Sequence, residues 1–121
     1  MSPALKPTMR ERSPEKLVIT ARATVLDAID VIEHGGARVA FVTSSEEALI
    51  GVVTDGDVRR HLLLGGATSD EISVAMNMAP VVAKPSDRAR DVALLMKCAG
   101  IRQVPVVGNS RKVRSVFFTD A

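Results

Sequence analysis

A chain of 121 residues with 46% hydrophobic and 25% charged residues is long enough for one compact domain and too well balanced to be disordered throughout. No apolar run approaches the roughly 20 residues that span a bilayer, and the N-terminal MSPALKPTMRERSPEK lacks the apolar stretch of a secretory signal. A single cysteine, Cys98, excludes an internal disulfide, so a cytoplasmic protein without membrane contact is expected. The net charge of +2 lies in residues 1–16, where Lys6, Arg10, Arg12 and Lys16 face only Glu11 and Glu15. That leaves residues 17–121 neutral and, without Trp or Tyr, poorly equipped for nucleic acid.

Residues 1–16 read as a flexible basic tail. In the first unit, residues 17–66, Leu17–Thr20 predicts a strand. Thr24 then predicts the cap of a helix whose Val25, Ala28, Ile29 and Ile32 keep helical spacing up to the stop at Gly35-Gly36. Val39–Val42 and Leu49–Val53 predict a hairpin about the polar SSEE turn, and Thr54-Asp-Gly-Asp57 opens a helix over Val58–Leu64. In the second unit, residues 67–121, a short helix is expected from Thr68 through Met76 and a strand at Val81–Ala83. A helix capped near Ser86 or Asp87 should then run to Ala99, followed by a hairpin of Gln103–Val107 and Val113–Phe118.

The two halves repeat. VVTD at Val52–Asp55 returns as FFTD at Phe117–Asp120, an offset of 65 residues from Thr54 to Thr119, and the order of elements returns with it. Units of about 50–60 residues are marginal alone because they bury too little surface, so the two sheets are expected to pair face to face and leave clefts between copies. The fold class is α+β (α/β), two β-α-β-β-α units in a pseudo-twofold pair.

LIGVVTDGDVRR, with Gly-apolar-apolar-Thr-x-x-Asp at Gly51–Asp57, resembles the third strand and second helix start of a cystathionine-β-synthase (CBS) domain. VAMNMAPVVAKPSDRARDVALLMKCAGIRQVPVV resembles the opening of the second domain of such a pair, or Bateman module. TDGDVRRHLLLG most resembles the N-terminal CBS pair of sugar-phosphate nucleotidyltransferases, and a similar phrase marks the CBS pair of sugar-phosphate isomerases. The resemblance implies a regulatory, non-catalytic module that binds an adenine nucleotide (AMP, ADP or ATP), self-associates as a homodimer and serves a fused catalytic domain, with no covalent cofactor and no metal. Asp57 would accept from the ribose hydroxyls with Thr54 beside it, and Arg38 and Arg102 would meet the phosphate. Adenine would lie among Ile19, Val39 and Ala40, or Val82, Val104 and Pro105, with Ala21, Gln103 and Thr119 completing the candidate site. The counterpart of Asp57 falls 65 residues on, past Ala121, so the second copy reads as C-terminally truncated.

The same residues admit plainer readings. Thr54 and Asp57 are also good helix caps, and Arg59 and Arg60 read as solvated charges. Asp55-Gly-Asp57 after a buried strand also resembles a haloacid-dehalogenase-type phosphatase start, although no adjacent Asp pair for Mg²⁺ follows. A ligand-free dimerisation module is the third alternative.

Overall fold

The computed structural model describes residues 9–119. Two three-stranded sheets carry three helices. One sheet has the order β2 (Val18–Thr20), β3 (Val39–Thr43), β4 (Leu49–Thr54), with β2 parallel and β4 antiparallel to β3. Helix α1 (Val25–His34) joins β2 to β3, and α2 (Asp55–Leu63) follows β4 directly. The other sheet has the order β1 (Met9–Arg12), β6 (Val113–Thr119), β5 (Gln103–Val107), with α3 (Ala89–Ala99) leading into β5.

The α1 start follows its sequence signal. Thr24 Oγ1 accepts from Asp27 N–H at 3.1 Å, and the Asp27 carboxylate accepts from Thr24 N–H at 2.9 Å, which satisfies two donors that the first helical turn would otherwise leave open. Val25 and Ala28 are buried on one side of the first sheet with Ala40, Val42, Val53, Val58 and Ile72. The other face of that sheet meets the second sheet in a core of Leu17, Ala37, Val39, Phe41, Leu49 and Val116. This sheet-to-sheet core supplies the burial that neither unit has alone. A smaller core of Ala83, Val92, Met96, Val104 and Val106 lies under α3.

The linking segments depart from expectation. Within the expected tail, Met9–Arg12 is a strand paired antiparallel with β6, Arg12 opposite Val116, so a segment preceding the first unit completes the sheet of the second. Residues 1–8 lie outside the described residues. The exchange is reciprocal: Asn77, near the start of the second unit, exchanges two backbone hydrogen bonds of 2.8 and 3.0 Å with Val52 of β4. Gly51 is small because a Cβ there would come 2.5 Å from Met76 Sδ first and 3.2 Å from the Asn77 carbonyl.

In place of a helix from Thr68 through Met76, the chain forms only a short 3-10 turn at Ile72–Val74. The carbonyls of Thr68 and Asp70 accept from Leu26 and Val25 N–H at 2.9 Å each, and Ile72 N–H donates to Ala23 O at 2.7 Å. The linker thus spends its backbone on the α1 N-terminus. The strand expected at Val81–Ala83 is reduced to a parallel bridge from Ala83 to Val106 between Pro80 and Pro85. Asp87 closes the next turn by accepting from Lys84 N–H at 2.9 Å, and α3 starts two residues later with Arg88 at the cap position and no capping side chain.

Candidate functional site

Two short loops set the site. The first follows α1, where Gly36 takes φ +89° and Arg38 φ +58° before β3 begins at Val39. Gly36 adopts this left-handed backbone without cost, but Arg38 does so against the preference of a residue with a Cβ. The loop is braced from the second sheet, where Gln103 Nε2 donates to Ala37 O at 2.8 Å. The second loop follows α3, where Gly100 at φ +68° closes the helix and Ile101 N–H donates back to Met96 O at 3.0 Å. Arg102 comes next, its carbonyl accepting from Thr119 N–H at 3.0 Å.

Arg38 and Arg102 each end the loop that follows a helix, 64 residues apart and so one short of the 65-residue repeat, and the fold brings both to one cavity of about 200 Å³ between the copies. Gly36, Ala37, Gln103, Phe118 and Thr119 line the rest. A second, mainly apolar cavity of about 580 Å³ adjoins it, sharing Arg102 and Thr119 and bounded by Met9, Met96, Lys97 and Ile101 among others. Among the described residues no carboxylate lines either cavity. Among the described residues neither Arg38 nor Arg102 is ion-paired. Two guanidinium groups that carry no ion pair among the described residues, with amide and hydroxyl neighbours, form an anion-accepting arrangement that matches phosphate geometry in particular.

Of the candidate residues, Arg38, Arg102, Gln103 and Thr119 converge on this cavity. Val39, Ala40, Val104 and Pro105 are fully buried, so their side chains serve the cores. Ile19 and Ala21 pack on the helix side of the first sheet, and Val82 packs into the core between sheets. Gly36, Ala37 and Phe118 were not among the candidates. The double glycine carried the signal, but it reads first as a helix stop.

Thr54 and Asp57 line neither cavity. Asp57 Oδ2 accepts from Thr54 N–H at 2.9 Å and from the Thr54 hydroxyl at 3.0 Å, and Oδ1 accepts from Arg60 at 3.2 Å. Three of the roughly four acceptor positions of a carboxylate are thereby occupied, which leaves room for one further donor and not for a diol. The phosphatase reading would need Asp55 as a nucleophile in a cleft, but it is exposed and paired with Arg59 four residues on. Among the described residues no cluster of three or more His, Cys, Asp or Glu could hold a metal ion, and no helix is long and apolar enough to cross a membrane.

Comparison with known proteins agrees with this geometry. The CBS domain family model matches residues 10–64. The arabinose 5-phosphate isomerase GutQ of Escherichia coli is 30% identical over 95 residues, covering 78% of this chain and 30% of the isomerase. Protein MJ1225 of Methanocaldococcus jannaschii is 30% identical over 118 residues, 97% of this chain and 42% of that protein. The chain therefore spans less than half the length of either relative. Among solved structures, CBSX2 in complex with AMP superposes with a TM-score of 0.74 at 22% identity, covering 90% of this chain and 85% of that one. The CBS domain protein PAE2072 of Pyrobaculum aerophilum, complexed with AMP, gives 0.70 at 18% identity, with 84% and 82% covered. The CBS pair of MJ0100, in complex with 5-methylthioadenosine and S-adenosyl-L-methionine, gives 0.68 at 22% identity, with 84% of each chain covered. Residues 10–64 accordingly match the CBS domain model, and the chain as a whole has the mixed α and β fold of the CBS-domain structures.

Proposed function

We propose that this chain is a regulatory module that binds an adenine nucleotide with its phosphate between Arg38 and Arg102, and that it has no turnover of its own. The observation that carries the reading is the convergence of these two unpaired arginines, with Gln103 and Thr119, on one cavity between the copies. A cavity of about 200 Å³ is smaller than the roughly 300–1,000 Å³ of sites that enclose a whole ligand, so it suits the anionic end of one. The AMP-bound CBS neighbours support an adenine nucleotide over other phosphate esters. Asp57, with one acceptor position left, serves a single ribose hydroxyl in this reading.

A thermal-shift panel of AMP, ADP, ATP, GTP, S-adenosylmethionine and adenosine tests the proposal. A ligand of the folded state adds about 2.7 kcal/mol of stability at one hundred times its dissociation constant. AMP, ADP or ATP should raise the melting temperature, and Arg102→Ala should cut the affinity about ten- to a hundredfold, the worth of one hydrogen bond to a charged group. A panel flat for every nucleotide would refute it.

The module is proposed to act in the cytoplasm on a fused catalytic domain. Similarity to GutQ favours a sugar-phosphate isomerase as the parent, with the nucleotidyltransferase expected from TDGDVRRHLLLG as the second reading. Self-association is part of the proposal. Leu63 and Leu64 are 80% and 82% exposed at the end of α2, and Leu62, Leu94 and Leu95 add apolar surface, more than a solvated face needs. Light scattering should give twice the chain mass, and a monomer at high micromolar concentration would rule the homodimer out.

A further inference from the structure

The loop that presents Arg38 is held from outside its own unit. Arg12, on the strand β1 that completes the second sheet, donates through Nη1 to Gly35 O at 2.6 Å, at the C-terminal end of α1. A guanidinium placed there meets the negative end of the helix dipole and satisfies a carbonyl that the helix leaves open. It also lies against the next residue, since a Cβ on Gly36 would come 3.0 Å from Arg12 Nη1. Two residues further, Gln103 of β5 holds the Ala37 carbonyl. Gly35 and Ala37 are thus fastened by two side chains of the second sheet, and Arg38 follows in a left-handed conformation that an unsupported loop would leave. Arg12 lines neither cavity, so beyond the long-range effect of its charge its influence on a bound anion passes through this loop.

We infer that Arg12 is a positioning residue for the anion cavity, and that docking of β1 on the second sheet is thermodynamically coupled to phosphate binding at Arg38. This rests on the nucleotide reading above and adds a route for regulation. Coupling is reciprocal: if β1 docking sharpens the cavity, a bound phosphate must tighten β1 by the same factor. A pull on the segment ahead of Met9 would then release the ligand. Conversely, nucleotide would be felt at the N-terminal strand.

The test uses the whole chain with Arg12→Ala and Arg12→Lys. Calorimetry with AMP and with adenosine separates positioning from general destabilisation, because only AMP carries the phosphate. Arg12→Ala should weaken AMP about tenfold, within the usual range of coupling between sites, and leave adenosine unchanged. Arg12→Lys should recover part of the loss, since an ammonium can still donate to one carbonyl. Amide hydrogen exchange at Gly35, whose N–H donates to Val31 O at 2.7 Å, should speed up in the unliganded Arg12→Ala protein. Equal losses for AMP and adenosine, or wild-type AMP affinity in Arg12→Ala, would overturn the inference. A wild-type chain that ignores AMP would sink the nucleotide reading alone. The exchange rates would then decide, and unchanged protection at Gly35 would refute the clamp.

Discussion

Asp57 sits where the motif places a ligand acceptor, yet most of its carboxylate is engaged by the protein. Its side chain is 15% exposed and holds the Thr54 N–H, the Thr54 hydroxyl and Arg60. Exposed-residue reasoning from the sequence expects Asp57→Ala to leave stability alone, and the structure reverses that. Removing the acceptor strands the Thr54 N–H at the start of α2, so the variant should lose about 1–2 kcal/mol in denaturant unfolding. Asp57→Asn, which keeps an acceptor oxygen, should lose less, and equal stability of all three proteins would contradict the assignment. Residue identity alone could not decide between cap and ligand contact because both need an acceptor at the same helix position. Thr24, by contrast, was fully legible, since a Thr and an Asp three residues apart before an apolar helical face satisfy each other locally. Cys98 is exposed, because α3 buries chiefly Val92 and Met96.

At the scale of elements, the helices and the two hairpins were legible because their apolar periodicity and turn residues are local signals. The linkers were not, because their hydrogen-bond partners lie far along the chain. β1 has polar residues and pairs with β6 more than 100 residues later, and the linker at 68–72 is shaped by donors of α1. One linker contact is also electrostatic. Asp70 accepts from Ala67 N–H at 2.8 Å and from His61 Nε2 at 2.9 Å, and the backbone hydrogen bond, with the histidine second, lowers its pKa below the usual 3.8. A carboxylate lowered in the folded state stabilises the fold above its unfolded pKa and loses that contribution as pH falls through the folded value. The melting temperature of the wild type should therefore fall towards that of Asp70→Asn as pH drops below 3.8, with the largest gap near neutrality. A gap that persists unchanged at pH 3 would rule out the charge as its cause.

At the scale of the molecule, the 65-residue repeat was the most informative feature of the sequence. It anticipated two sheets and their face-to-face packing, because repeated sequence folds into repeated structure whose units bury their faces against each other. It could not show that the two arginines meet at one cavity in place of two equivalent clefts, since that depends on how the sheets cross. The first copy supplies Gly36, Ala37 and Arg38 to this cavity, and the second supplies Arg102, Gln103, Phe118 and Thr119. One phosphate between two arginines implies one tight site per chain. Isothermal calorimetry of the 121-residue chain with AMP, set against adenosine, tests this most directly. The account predicts one AMP per chain, bound at least about tenfold more tightly than adenosine, with the difference abolished in Arg38→Ala and Arg102→Ala. Two equivalent AMP sites, or equal affinity for AMP and adenosine, would contradict it.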